Sequence, residues 1–421
     1  MDRRVPVDRN AGMLGCGEIC RHKRLKQFQE ERNTLNCMEI KSEAKLTFFE
    51  AASLIVGHGV GAGILSVPYI ASRNSIGDLL WILALVYCVN LLLHSMIAEL
   101  SLHNGGAQFI KCFEKDLFVG KYGRFLTWAA FGLLGLSVII NVSGFITGGG
   151  AVLISWLGMP TWAAMTVFYL AAAAVVFFGM KLVGICEKFA VLSMAAVVGM
   201  LVIAGLRQGS AEFAGSRVAW TNVMALYSMV SFSLSAVMSV PQVVKGLGGD
   251  RKKVAGAIAA GTGVNLALVG VITFITLYSV GSAITENGAL VDLASKLGGW
   301  VSVVGYVFSL LALATSFWAN TLNLRDVFAE QTGMHNRTSW LITSLPCLFI
   351  ALLGLTSFVG FSRLASVVQV LTGLGVIAAY HHARKRTGSS PICGRLGTLP
   401  FQILVAAGSL AATAGALLKI V

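Results

Sequence analysis

The stretch GHGVGAGILSVP, Gly57 to Pro68, places four glycines, a histidine and a proline inside an apolar run, Phe48 to Ile70, long enough to cross a bilayer. Glycine costs a helix roughly 1 kcal/mol relative to alanine. Proline removes a backbone donor and clashes with the preceding turn. Such backbone is tolerated at membrane depth only where protein buries it or a wet cavity lies beside it. A second stretch, SFSLSAVMSVPQVV (Ser231 to Val244), repeats the pattern in another apolar run and carries the same closing tripeptide, Ser239-Val240-Pro241 matching Ser66-Val67-Pro68. Small residues alone serve helix packing. Paired Gly/Pro-interrupted segments at corresponding positions of two halves point instead to a central binding site.

The surrounding composition sets the class. Of 421 residues, 56% are hydrophobic and 12% charged, with a mean hydropathy of +0.77, against roughly 25% charged in a soluble domain. The chain reads as an all-α integral membrane protein. Eleven apolar stretches have a helical crossing's length: 48–72, 76–100, 123–147, 151–179, 182–206, 222–246, 254–281, 299–325, 338–358, 363–383 and 398–420. A β-barrel would alternate in short segments instead.

The net charge of +13 is a topology signal and not a nucleic-acid footprint. With the N-terminus in the cytoplasm, 26 of the 32 Lys and Arg fall inside and 6 outside, as the positive-inside rule requires. This predicts a multi-pass plasma-membrane protein with an external C-terminus. Residues 1–47 read as a flexible cytoplasmic tail, in which Met38 resembles a natural start; some or all of residues 1–37 are then expected to be dispensable, and a truncation beginning at Met38 that failed to insert or fold would refute this. No cysteine falls in an expected external loop, so no structural disulfide is expected. CGEICRH (Cys16 to His22) has no strong zinc spacing.

Three segments together resemble a known group. VGAGILSVPYIASRNSIG (Val60 to Gly77) is similar to the first-helix signature of the amino acid/auxin and aromatic amino acid permeases, within the amino acid–polyamine–organocation superfamily. HSMIAELSLHNGG (His94 to Gly106) and TSFWANTLNLRDVFAEQ (Thr315 to Gln331) resemble the second and eighth helices of bacterial tryptophan/tyrosine permeases. The resemblance implies the LeuT-type fold: about eleven transmembrane helices, two inverted five-helix repeats (48–206 and 222–383), discontinuous helices 1 and 6, and an eleventh helix at 398–421.

It also implies a mechanism that suits these residues. Free N–H groups around Gly61, Ala62 and Gly63 would hold a substrate carboxylate. Free carbonyls near Gly57, His58 and Val60 suit cations. Carbonyls near Phe232 to Ser235 would take the ammonium, and Phe232 corresponds to an aromatic gate, unless it faces lipid. Ser233, Ser235 and Ala236 leave volume for a larger apolar side chain. Asn141 and Ser137, one turn apart on helix 3, either line the site or bond a neighbouring helix. The middle of the bundle carries almost no charge, which argues for a neutral substrate.

The coupling ion stays open between sodium and a proton. ALATS (Ala312 to Ser316) matches an Ala-x-x-Thr-Ser pattern of sodium-coupled relatives. That resemblance implies a sodium site of the Gly57, Val60 and Ala312 carbonyls with the Thr315 and Ser316 hydroxyls; Ser/Thr pairs also bond backbone one turn back, and proton-coupled tryptophan/tyrosine permeases keep a similar Thr-Ser. Some relatives use a mid-helix-5 lysine for proton coupling, but Lys188 sits near the cytoplasmic end. His58, titrating near physiological pH, is the proton candidate. No cofactor is expected beyond the coupling ion.

The function implied is cation-coupled symport of a neutral amino acid, with room for an aromatic or hydrophobic side chain, by alternating access. An amino-acid-sensing receptor of the same fold is the alternative, disfavoured by the short tail and small loops. A channel lacks a filter repeat, and no catalytic motif is present for an enzyme.

Overall fold

The computed structural model describes residues 46–60, 63–210, 219–285, 289–356 and 358–418. Every regular element among them is helical. The first apolar stretch is two helices, α1 (Phe48–Gly59) and α2 (Gly63–Ala71). Then follow α3 (Ile76–His103), α4 (Phe109–Asp116), α5 (Gly123–Leu157), α6 (Thr161–Phe177) and α7 (Met180–Gln208). The sixth stretch is again divided, into α8 (Trp220–Leu234) and α9 (Val240–Gly246). The chain continues through α10 (Arg251–Val280), α11 (Ala289–Leu297), α12 (Trp300–Thr332), α13 (Asn336–Leu352), α14 (Phe358–Thr387) and α15 (Leu399–Leu417). Short α4 and α11 lie between apolar stretches. Among the described residues seven helical spans are long and apolar enough to cross a membrane, Trp220–Gly246 counting as one.

The largest shift from an expected boundary falls between the third and fourth stretches. The third stretch was bounded at 147 and the fourth begun at 151, but α5 runs on to Leu157 and the turn falls at Gly158, whose φ of 65° is left-handed. Pro160 then precedes α6. The triple glycine at 148–150 stays helical because it is a packing surface: a methyl group on Gly150 would stand 2.6 Å from Met165 Cγ, and one on Gly149 would overlap the Phe168 ring.

α1 starts with a capping box. Glu50 N–H donates to Thr47 Oγ1 (3.3 Å) and Thr47 N–H to Glu50 Oε2 (2.8 Å), satisfying donors the first turn would leave free. α1 packs between α7, α10 and α12, while α2 packs on α8 and α10. Both halves of the first stretch are therefore interior. α7 shows why its neighbours lie where they do. Val183, Gly184, Glu187, Ala190, Met194, Val197 and Leu201 are buried at helical spacing, while Phe189, Leu192, Met200 and Ile203 are exposed. One stripe packs on the bundle and the other forms an apolar outer surface.

The residue-46 end of the bundle is latched. Lys181 Nζ bonds both Glu50 oxygens at 2.8 and 2.7 Å, and Leu46 N–H donates to Gly246 O at 3.0 Å. Glu99, buried, accepts from Tyr380 Oη (3.0 Å), Ser390 Oγ (3.1 Å) and the N–H groups of Ile392 (3.0 Å) and Cys393 (2.8 Å). It fastens the segment before α15 to α3.

Candidate functional site

The break between α8 and α9 is a short extended step. Ser235 has φ −79°, ψ 123°, Ala236 follows, and Val237–Ser239 form one 3₁₀ turn before α9. Pro241 lies in the first turn of α9, where its missing N–H leaves no bond unmade. Pro68 instead lies inside α2. The shared Ser-Val-Pro therefore occupies two different places: it opens the second half-helix at one break and continues through it at the other.

The backbone groups freed at this break have partners on other helices. Ala236 N–H donates to His94 Nε2 at 3.0 Å. This puts the ring proton of buried His94 on Nδ1, which lies 3.4 Å from Thr262 Oγ1. Met238 O accepts from Asn323 Nδ2 at 2.9 Å.

At the break between α1 and α2, bare backbone does the packing. A methyl group on Gly59 would overlap Asn265 Nδ2 and reach 3.0 Å from Ser233 O; on Gly63 it would stand 2.6 Å from Ser233 Oγ and 2.8 Å from the Phe232 ring. Asn265 Nδ2 donates to Ile55 O at 3.2 Å. His58 Nδ1 pairs with Ser239 Oγ at 2.9 Å, joining the two breaks directly.

The structure thus brings together His58, Gly63, Phe232 and Ser233 from the sequence-derived set, with Ser235 and Ala236 forming the extended step. Ser233 Oγ donates back to Met229 O (2.8 Å), and Phe232, 39% exposed, has its ring edge against Gly63. Ala236 N–H is taken by His94 and faces no open site. Gly61 and Ala62 lie outside the described residues. Asn141 and Ser137 are buried on α5, which packs mainly on α14, α12 and α6.

Of the candidate ion ligands, Val60, Ala312, Thr315 and Ser316 are all buried. Thr315 Oγ1 donates to Ala312 O at 3.0 Å. Ser316 Oγ has no hydrogen-bond partner among the described residues. Gly57 adjoins this group, since a methyl on it would stand 2.9 Å from Thr315 Cβ. That methyl would also overlap the carboxylate of Glu187.

Four polar residues at the site escaped the sequence reading: His94, Asn265, Asn323 and Glu187. Glu187, next to Lys188 on α7, is fully buried. A signal for it existed. Glu187 is three residues from Gly184 and three from Ala190, so it shares their inward stripe, whereas Lys188 lies off it, with its Nζ 5.2 Å from the Phe189 ring centroid.

Residues 44–380 match the model of the tryptophan/tyrosine permease family. The chain belongs to that family. It is 25% identical over 383 residues to a tryptophan-specific transport protein of Pseudomonas aeruginosa (strain UCBPP-PA14), covering 84% of this chain and 90% of the relative. Among solved structures it is similar to MhsT in complex with L-phenylalanine, with a TM-score of 0.64, 14% identity, and coverage of 88% of this chain and 98% of that one. It is also similar to MHP1, a nucleobase-cation-symport-1 family transporter bound to bromovinylhydantoin, with a TM-score of 0.62, 14% identity, and coverage of 89% and 92%. These likenesses give this permease the LeuT-type fold. It is a multi-pass membrane transporter and not an enzyme.

Proposed function

We propose that this permease is a symporter that carries a neutral aromatic amino acid, tryptophan first among the candidates, together with a monovalent cation by alternating access. The observation that carries this reading is the meeting of the two helix breaks, with Gly63 against Ser233 and Phe232 and His58 bonded to Ser239. The α2 N-terminus carries partial positive charge suited to a carboxylate. The carbonyls leading into extended Ser235 suit an ammonium, and Phe232 offers a ring for an aromatic side chain to stack on. The tryptophan-specific relative supports the substrate class.

For the cation, the residues present suit sodium. Ser316 Oγ is a buried oxygen without a partner among the described residues, beside Thr315 and the last turn of α1, and hard cations take oxygen ligands. Gly57, Val60 and Ala312 carbonyls with Thr315 and Ser316 hydroxyls would hold it. Bound there, sodium supplies a positive charge that ties α1 to α12. The cytoplasmic N-terminus, external C-terminus and repeat halves 48–206 and 222–383 belong to the same proposal.

Thermal unfolding of the purified chain, screened against the twenty amino acids in sodium or choline at two pH values, tests this. A ligand at 100 times its dissociation constant adds about 2.7 kcal/mol of stability. Stabilisation by tryptophan that deepens in sodium is the expected result. No response to any amino acid would overturn the substrate assignment. A tryptophan response sensitive to pH but not to sodium would move coupling to a proton, with His58 as its carrier.

A further inference from the structure

Asn265 of α10 is a buried amide with half of its bonding capacity unused. The residue is 0% exposed; its Nδ2 donates to Ile55 O at 3.2 Å, while Oδ1 has no hydrogen-bond partner among the described residues. Turning the amide over would set its oxygen against the Ile55 carbonyl, so the donor side is fixed and Oδ1 stays an acceptor. Buried polar groups in folded proteins are paired almost throughout, and an acceptor left without a donor lowers stability. The free oxygen therefore calls for a donor from outside the chain.

The amide stands where the two breaks meet. A methyl group on Gly59, the last residue of α1, would overlap Nδ2 and lie 3.1 Å from Asn265 Cγ and 3.0 Å from Ser233 O. Ser233 in turn meets Gly63 of α2 through Oγ. The groups gathered around this point are acceptors. Ser233 O belongs to the last turn of α8, and two donors that follow it are taken elsewhere, Ser235 N–H by Phe232 O at 3.2 Å and Ala236 N–H by His94. The last turn of α1 ends at Gly59 with its carbonyls directed along the helix axis. Both helix ends carry partial negative charge. Ser235 and His58 are partly exposed and Phe232 more so, and the acceptors lie behind surface that solvent reaches. An ammonium group brings three N–H donors and a full positive charge, the complement of such a set.

We propose that Asn265 is a substrate-binding residue whose Oδ1 accepts a hydrogen bond from the substrate ammonium, beside Ser233 O. The inference rests on the amino acid reading above and adds a side chain from α10 to a site built from α1, α2 and α8. The bare backbone of Gly59 is then a requirement of recognition, because any Cβ there displaces the amide. What Asn265 selects is the charged group common to amino acids and not the ring. A ligand without the ammonium leaves Oδ1 unmatched and is rejected for that reason.

Calorimetric binding of three ligands to the purified full-length chain tests the proposal: tryptophan, indole-3-propionate, which lacks the ammonium, and tryptamine, which lacks the carboxylate. The wild type is expected to bind tryptophan more tightly than indole-3-propionate. Asn265→Ala should weaken tryptophan and tryptamine at least about 10-fold each and leave indole-3-propionate nearly unchanged, so that the preference for the ammonium shrinks. Gly59→Ala moves the amide without removing it and should shrink the same preference. It decides the matter if Asn265→Ala is not monodisperse in size-exclusion chromatography. Unchanged affinities, or equal weakening of all three ligands, would overturn the proposal, since an amide that only braces Ile55 or holds a metal ion does not tell them apart. So would a loss confined to tryptophan and indole-3-propionate, the amide then reading the carboxylate. If the wild type prefers another amino acid, only the aromatic assignment falls, and the same comparison is made with that amino acid and its desamino and decarboxylated forms. A wild type that binds no amino acid overturns both readings.

Discussion

At the first helix break, Gly57, Gly59 and Gly63 press bare backbone against Glu187, Asn265 and the Phe232–Ser233 pair. At the sixth, the freed groups are taken by side chains from other helices, with His94 on Ala236 N–H and Asn323 on Met238 O. The first break is made by leaving side chains out; the second is made by bringing side chains in. Both solve the same problem, since unpaired backbone inside a membrane protein must be satisfied or line a site. They fail differently. Added bulk should damage the first, and a lost acceptor or donor the second.

The largest effect expected is from Gly63→Leu. Its side chain would enter the space of Ser233 and Phe232, and overpacking costs about 1–3 kcal/mol. Uptake of labelled tryptophan into proteoliposomes should fall at least about 10-fold, while membrane insertion persists. Normal uptake would mean that the first break is packing alone. Next is His94→Ala, which leaves the Ala236 N–H buried and unpaired at about 1–3 kcal/mol. Its thermal unfolding should drop accordingly, and His94→Gln, which restores an acceptor, should recover part of the loss. Equal destabilisation by both would show that volume, not the hydrogen bond, matters at the sixth break.

A smaller effect belongs to the bond that joins the breaks. A double-mutant cycle of His58→Ala and Ser239→Ala should give a coupling of about 0.5–1.5 kcal/mol. A coupling near zero would uncouple the two breaks. The pH profile of uptake in His58→Gln sharpens this further: a flattened profile makes the imidazole a proton carrier, and an unaltered one makes it structural. Smallest is Pro241→Ala. In the first turn of α9 the missing N–H is unused, so stability should move by less than about 0.5 kcal/mol. Pro68→Ala, inside α2, should move it more.

Much of the architecture was legible because the bilayer imposes a length on every apolar run. The interruptions announced themselves through glycine and proline, residues whose backbone chemistry is visible without knowing their neighbours. The glycines at 148–150, between the expected third and fourth stretches, carry no such signal of their own. Glycine marks a turn or a close contact equally well, and only the positions of Met165 and Phe168 decide which. The partners of the breaks were harder to see. His94, Asn265 and Glu187 are single polar residues in apolar helices, and their roles depend on how those helices are rotated toward α1. The stripe on α7 fixed that rotation for Glu187, but nothing local in the sequence says that α1 is what the stripe meets.

The His58–Ser239 bond spans 181 residues of chain, and Asn265 reaches Ile55 across 210. A ribosome adding roughly 5–20 residues per second leaves the first broken helix waiting about 10–40 s for these partners. During synthesis the glycine-rich segment must therefore be sheltered by something other than its final neighbours. The order in which the halves reach the membrane becomes part of how this permease is made.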